Sequence, residues 1–110
     1  MKIPNADQAI IAVEKLRDYL LNPLHRRGGS KARLLMLLGY DADRWQTLEM
    51  DLRRQHLMLD AASTAETEYG TSYEIIAPLT GPNGRSVRFR SVWQIDYGTQ
   101  IPRLITLYPD

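Results

Sequence analysis

The first half of the chain carries its hydrophobic residues at helical spacing. Val13, Leu16 and Leu20 recur three and four positions apart, with charged residues on the other faces, which is the pattern of an amphipathic helix. This helix is predicted to end by Asn22, because Pro23 disfavours helical geometry in the residue before it. The residues just before Val13 are rich in β-branched side chains and fit either a short strand or the first helical turns.

Two more helices are predicted to follow. Ser30 suits the N-cap position, residues 31–38 are nearly all apolar, and Gly39 supplies the left-handed conformation that ends many helices. A further helix is predicted from an aspartate cap at 41–43 to about Leu57. Its inner face is predicted to carry Trp45, Leu48 and Leu52, and its wet face Arg44, Glu49, Asp51, Arg53, Arg54 and an inert His56.

The second half of the chain alternates between apolar and polar side chains, which is typical of strands with one buried face. A connecting loop is predicted at 60–68, then strands at 72–79, 85–96 and 101–108, with turns at 80–84 and 97–100. In the middle one of these strands the inward set is Val87, Phe89, Trp93 and Ile95. In the last strand, Ile101, Ile105 and Leu107 are predicted to share one face, and Pro102, Leu104, Thr106 and Tyr108 the other.

Helices followed by an antiparallel meander predict an α+β fold. The N-terminal helices are expected to pack on one face of a C-terminal antiparallel sheet of three to four strands. A length of 110 residues suits one hydrophobic core, so residues 1–110 are predicted to form a single domain.

The composition excludes several classes of site. The chain has no cysteine, which excludes disulfides, zinc–thiolate sites and thiol nucleophiles and favours a reducing, cytoplasmic setting. Its two histidines, His25 and His56, have no companion at ligand spacing, so no metal or other cofactor is expected. Charged residues interrupt the apolar runs, so a membrane role is not expected either.

The net charge of +1 conceals a segregation of charge along the chain. Residues 14–33 hold six basic and two acidic side chains, and residues 85–103 hold four and one, whereas residues 41–68 hold three and seven. If the fold brings the two basic blocks together, they form a positive surface suited to phosphate. The alternative is an ordinary solvated surface of mixed sign.

The polar side chains predicted on the open face of the sheet are chemically diverse. They are Glu74, Arg88, Arg90, Thr106 and Tyr108. With His25 or Lys31 reaching over the rim, they provide a base, an acid and a cationic clamp for an RNA phosphodiester. Such cleavage begins with proton transfer from a ribose 2′-hydroxyl and needs no metal.

The loop between the first two helices is a second candidate for phosphate binding. Arg26 and Arg27 supply charge, and Gly28 and Gly29 allow the backbone to approach an anion at a helix N-terminus.

Each candidate also has a structural interpretation. His25 suits a turn or a cap, and the basic pair that follows it suits a solvated surface. Arg88 and Arg90 can pair with Glu74 across the hairpin, in ion pairs worth less than about 1 kcal/mol.

Separated blocks of the chain resemble a small bacterial family known only as a domain of unknown function, number six-eight-eight-three. The blocks are KLRDYLLNP at 15–23, His25, a glycine at 28 or 29, Lys31 and Ala32, LGY at 38–40, TGPNG at 80–84, Trp93 and PRLITLYP at 102–109. They span nearly the whole chain. That family has no established activity, so the resemblance bears on the fold more than on the function.

The expected architecture is also similar to that of the metal-independent ribonuclease toxins grouped with barnase, endoribonuclease U, colicins and RelE. In that group, helices precede a small antiparallel sheet with a His, Lys or Arg and a late Thr and Tyr at the site. The resemblance implies catalytic roles for His25, Lys31, Arg103, Thr106 and Tyr108. The candidates for substrate binding are Arg26, Arg27, Arg88 and Arg90.

Two functional hypotheses are favoured. The first is a bacterial or prophage toxin-type domain that cleaves or binds RNA without a metal and is neutralised by an acidic partner protein. The second is a non-enzymatic interaction module, such as an antitoxin, an immunity protein or a prophage accessory protein, that docks through its exposed sheet face or edge. A third option is a small-ligand pocket near Trp93 and Tyr97.

Overall fold

The computed structural model describes residues 1–27 and 29–110 and shows helices followed by a four-stranded antiparallel sheet. The predicted α+β architecture is therefore confirmed. The elements are a π-helix (Lys15–Leu20), helices α1 (Gly29–Leu37) and α2 (Trp45–Gln55), strands β1 (Ser63–Glu66), β2 (Gly70–Thr80), β3 (Ser86–Asp96) and β4 (Arg103–Pro109), and 3-10 turns at Ala6–Gln8 and Ala42–Arg44. Within the described residues, none of the helices has the length and apolar character to cross a lipid bilayer.

The helical spacing in the sequence does place hydrophobic residues in the core. Leu16 and Leu20 of the π-helix are fully buried, and the Leu21 N–H donates to the Leu16 carbonyl at 2.8 Å, a five-residue step typical of π-helices. Helix α1 begins at Gly29, so Ser30 lies within its first turn and is not the N-cap that was predicted.

The turn between β2 and β3 packs against the C-terminal end of α1. Asn83 donates its backbone N–H to the Leu38 carbonyl at 3.2 Å and its Nδ2 to the Leu37 carbonyl at 2.8 Å. These bonds satisfy two carbonyls that a helix end leaves without a partner. Gly81 allows this approach, since a Cβ there would collide with the Leu38 carbonyl. The turn therefore holds α1 in position relative to the sheet.

The sheet is a meander in the order β1-β2-β3-β4. Strand β1 falls within the predicted loop at 60–68, so that prediction is wrong: its four exposed residues pair with residues 71–74 of β2. At the opposite edge, the Ile10 N–H donates to the Pro102 carbonyl at 2.8 Å, and the Leu104 N–H donates to the Ile10 carbonyl at 3.0 Å. The N-terminal segment thus covers the start of β4.

Side chains of β3 alternate between the two faces of the sheet as predicted, but those of β4 do so only in part. Phe89 and Trp93 of β3 are fully buried. In β4, Leu104 and Thr106 lie opposite neighbouring residues of β3, which makes Ile105 the extra residue of a β-bulge. Leu104 is therefore only 3% exposed and belongs to the core, and its predicted placement on the face of Thr106 is wrong. Ile105 lies beside Thr106 in a surface cleft, not on the face of Leu107.

His56 was predicted on the wet side of its helix, and the structure buries it completely. In the neutral ring, Nε2 donates to the Ala77 carbonyl at 3.1 Å, because a carbonyl only accepts. Nδ1 then accepts from the Ser91 hydroxyl at 2.8 Å, and the Ser91 oxygen accepts from Trp93 Nε1 at 2.9 Å. Burial lowers the pKa of His56, although the Ala77 hydrogen bond opposes this. His56 is a structural residue of the core.

Asp51, also predicted on the wet face, is buried as well. Its carboxylate accepts from the Tyr40 hydroxyl at 2.7 Å and from Arg54 Nη2 at 2.6 Å. Burial, together with the hydrogen bond and charge of Asp51, raises the pKa of Tyr40. This contact joins the residues that follow α1 to helix α2.

Candidate active site

A cleft of about 550 Å³ opens between the π-helix, the loop after it, helix α1 and strand β4. The volume falls within the range of small-molecule sites, roughly 300 to 1,000 Å³. The lining residues are Lys15, Tyr19, His25, Arg27, Lys31, Ile105, Thr106 and Tyr108.

The cleft carries positive charge. Lys15, Arg27 and Lys31 are cationic, and none of the described lining residues is a carboxylate. Cations on the wall of a concave site concentrate the positive potential and attract anionic ligands.

Lys31 lies at the centre of the cleft. Its Nζ donates to the Tyr19 hydroxyl oxygen at 2.7 Å and to Thr106 Oγ1 at 3.1 Å. The same ammonium lies 5.0 Å from the ring centroid of Tyr19 and 5.8 Å from that of Tyr108, within the range of cation–π attraction. These contacts hold a charged group between two aromatic rings.

Tyr19 is the residue that Lys31 affects most directly. Partial burial alone would raise the pKa of its phenol, but hydrogen bonds with Lys31 and Thr106 and the charges of Lys31 and Lys15 outweigh it. The net result is a pKa below the ordinary value for tyrosine. The charge of Lys31 therefore makes the phenolate form of Tyr19 less unfavourable than in an ordinary exposed tyrosine.

His25 lies against Tyr19, with ring centroids 4.8 Å apart and an interplanar angle of 81°. Its Nδ1 accepts from the backbone N–H of Arg27 at 3.1 Å. A neutral imidazole that accepts at Nδ1 carries its proton on Nε2. The Arg27 N–H therefore already occupies the lone pair of Nδ1.

Gly29 allows a close approach between two backbone segments of the loop. Gly29 packs tightly, since a Cβ there would lie 2.7 Å from the Pro23 carbonyl oxygen. Gly28, predicted to let the backbone approach an anion, lies outside the described residues.

The predicted arginines of the sheet face lie in a surface ion-pair network. Arg90 donates to Glu74 at 3.0 Å and to Asp110 at 2.9 Å, and Arg88 donates to Asp110 at 3.1 Å. Tyr108 donates to the other Glu74 oxygen at 3.4 Å, which connects this network to the cleft. The predicted pairing of Arg90 with Glu74 is confirmed, whereas Arg88 pairs with Asp110 instead.

Arg103 and Arg26 lie apart from the cleft lining, as do Arg88 and Arg90. Arg103 is in an ion pair with Asp96 at 2.7 Å, and its hydrogen bond lowers the pKa of the Asp96 carboxyl. Arg26 is exposed and does not line the cleft.

Four predicted catalytic candidates, His25, Lys31, Thr106 and Tyr108, line one cleft, as does Arg27 from the predicted phosphate-binding set. Sequence reasoning missed Tyr19 and Lys15 as site residues. Both lie in the block at 15–23 that carries the family resemblance, and Tyr19 is neither buried like Leu16 and Leu20 nor charged. A tyrosine about one turn before the basic loop was the signal available in the sequence.

No group of three or more His, Cys, Asp or Glu side chains that could hold a metal ion occurs in the part of the chain that the structure describes. The polar groups in the cleft are amines, guanidinium, imidazole and hydroxyls. They suit proton transfer and the binding of an anion.

Comparison with known proteins gives a family and a shared fold. The model of the family described as "Domain of unknown function (DUF6883)" matches residues 2–110. No curated protein matches the chain. A chain in the solved "contact-dependent growth inhibition toxin - immunity protein complex from Klebsiella pneumoniae 342" is similar with a TM-score of 0.67 and 16% sequence identity, over 92% of this chain and 99% of that one.

The structural match shows a common fold, since at this level of identity it says nothing about shared chemistry. The family match spans almost the entire chain and confirms the resemblance noted in the separated sequence blocks. The protein is a member of the DUF6883 family.

Proposed function

We propose that this domain is a metal-independent endoribonuclease of the bacterial toxin type, with its active site in the cleft around Lys31. The observation that carries the proposal is the convergence of Lys31, Tyr19, Thr106, Tyr108 and His25 in one cationic cleft. RNA is the polyanion that this chemistry can cleave without a metal, because each ribose 2′-hydroxyl is an internal nucleophile next to a phosphodiester.

Each part of the cleft suits a step of that reaction. Lys31 and Arg27 line the cleft, and their positive charges would stabilise the negative charge that grows on the phosphoryl oxygens in the transition state. The tyrosine rings offer surfaces on which an unpaired base stacks, a contact worth about 1–3 kcal/mol per base. Thr106 holds the Lys31 ammonium in position at 3.1 Å.

The structural neighbour supports a toxin-type role, because it comes from a complex of a toxin with its immunity protein. A toxin domain of this kind requires a partner that blocks it in the cell that makes it. An acidic partner protein would fit the cationic cleft. RNA as substrate would place the activity in the cytoplasm.

The test is cleavage of total tRNA and rRNA by the purified domain in EDTA. The wild type is expected to produce fragments with 2′,3′-cyclic phosphate and 5′-hydroxyl ends. Lys31→Met keeps the length of the side chain without its charge and is expected to slow cleavage by about 100-fold or more, the usual loss for one transition-state donor. Arg85→Ala removes a cation from the exposed β2–β3 turn and is the matched control. Equal rates for wild type and Lys31→Met would refute the proposal, as would an inactive wild type.

An immunity-type binding module is the second candidate, since the same solved complex contains an immunity protein. Expression of the domain alone in bacteria separates the two. A toxin arrests growth and is rescued by co-expression of an acidic partner from a neighbouring gene, whereas an immunity-type protein leaves growth unchanged.

A further inference from the structure

We propose that Tyr19 and Lys31 form the proton-transfer pair of the cleft, in which Tyr19 is the general base and Lys31 the general acid. This inference rests on the proposed function and assigns a role to Tyr19 that the sequence had not suggested. His25 becomes a positioning residue.

The geometry of the pair supports direct proton exchange. The Lys31 Nζ and the Tyr19 oxygen are 2.7 Å apart, a short distance typical of a charge-assisted hydrogen bond. Thr106 Oγ1 lies 3.1 Å from the ammonium and 3.4 Å from the phenol oxygen, so both partners are held by a third group. General acid–base catalysis requires this kind of fixed placement.

His25 is less well placed to act as the base. Its Nδ1 already accepts the Arg27 backbone N–H, and the ring lies edge-to-face with Tyr19. Its contacts orient the Tyr19 ring and hold the loop. The surroundings of Tyr19 lower the pKa of its phenol.

The reaction balances with these two residues alone. The Tyr19 phenolate takes the proton of the 2′-hydroxyl, the 2′-oxygen forms a bond to phosphorus, and the bond from phosphorus to the 5′-oxygen breaks. The Lys31 ammonium gives a proton to the departing 5′-oxygen. The new phenol proton then passes to the Lys31 amine along the 2.7 Å contact, which restores the phenolate and ammonium for the next turnover.

The first test is the pH–rate profile of RNA cleavage. The wild-type rate is expected to rise with pH until Tyr19 is ionised. Replacing Tyr19 by 3-fluorotyrosine, a more acidic phenol, is expected to move this ascending limb to lower pH. Tyr19→Phe is expected to slow cleavage by about 100-fold to 10,000-fold, the usual contribution of a general base. His25→Gln is expected to keep the position of the ascending limb.

RNA binding separates a general base from a structural residue. If Tyr19 is the general base, Tyr19→Phe should bind a 2′-O-methyl RNA, which cannot be cleaved, within about threefold of the wild type, a difference below about 1 kcal/mol. A structural role for Tyr19 would instead weaken this binding. Retention of more than about a tenth of the wild-type rate by Tyr19→Phe, a loss too small for a general base, would overturn the inference. So would an ascending limb that fluorination does not move.

A second measurement distinguishes failure of the pair from failure of the proposed function. Titration of Tyr19 by NMR of ¹³Cζ-labelled tyrosine is expected to show a lower pKa in the wild type than in Lys31→Met. If RNA is cleaved but Tyr19 titrates equally in both, the pair is refuted and the nuclease stands. If Tyr19 titrates low but RNA is not cleaved, the ribonuclease proposal fails and the pair must serve another substrate.

Discussion

Binding of single-stranded RNA to the cleft is expected to weaken steeply with salt, by an amount that the structure allows to be calculated. Three cations line the cleft, Lys15, Arg27 and Lys31. If each neutralises one phosphate, the logarithm of the binding constant should fall with the logarithm of salt concentration with a slope of about −2, since single strands give roughly −0.7 per contact. Between 50 and 200 mM salt, the affinity should therefore drop by about 18-fold.

Arg27→Ala removes one of these contacts, which should reduce the slope to about −1.4 and the loss over the same range to about 7-fold. Arg85→Ala changes the net charge equally but at the exposed turn, outside the cleft. It should leave the slope at the wild-type value.

Fluorescence anisotropy of a labelled 2′-O-methyl oligonucleotide measures these slopes without cleavage. An equal change of slope in both variants would show that RNA binding depends on overall charge and not on the cleft. An unchanged slope in Arg27→Ala would show that Arg27 does not contact the bound RNA.

Three further predictions concern stability and are measured by urea unfolding. The pKa of buried His56 lies below the 6.5 of the exposed side chain, so the unfolded chain binds the proton first as the pH falls. The free energy of unfolding should therefore decrease below about pH 6.5, by up to about 1.4 kcal/mol per pH unit, until the pKa of the folded state is reached. His56→Gln should flatten this dependence, and an unchanged slope would contradict it. Leu104→Ala removes a side chain from the core and should lower the free energy of unfolding by about 2–5 kcal/mol, whereas Ile105→Ala should lower it clearly less. The reverse order would contradict the assignment of Ile105 as the extra residue of the β-bulge. Ser91→Ala leaves Nδ1 of His56 and Nε1 of Trp93 without their partner. It should lower the free energy of unfolding by about 2–6 kcal/mol, because each unpaired buried group costs about 1–3 kcal/mol. A loss under about 1 kcal/mol, the value of a single ordinary hydrogen bond, would mean that these two groups rearrange to find other partners.

Several features of the fold could be predicted from short-range pattern alone. Leu16 and Leu20, predicted from helical spacing, and Phe89 and Trp93, predicted from strand alternation, are all buried in the structure. Pattern predicts them because burial of apolar surface is the dominant stabilising effect in folding. The left-handed residue after α1 is Gly39, with φ of 99°, as its lack of a side chain allows.

Other features depend on backbone pairing that leaves no pattern in the side chains. Strand β1 is exposed along its whole length, and its polar residues resemble those of any loop. The bulge at Ile105 adds one residue to a strand whose alternation otherwise looks regular. It moves Leu104 inward and leaves Ile105 at the cleft, a change that only the register with β3 decides.

The sequence by itself predicted the α+β order of the elements, the inward residues of the π-helix and β3, and five of the residues that line the cleft. It did so because hydrophobic periodicity and residue chemistry are properties of short stretches. The tertiary structure alone decided which polar groups meet. Tyr19 and Thr106 are 87 positions apart, yet both contact Lys31, and Arg90 is paired with carboxylates instead of facing the cleft. Distances between remote side chains follow from the packing of whole elements, and no local pattern encodes them.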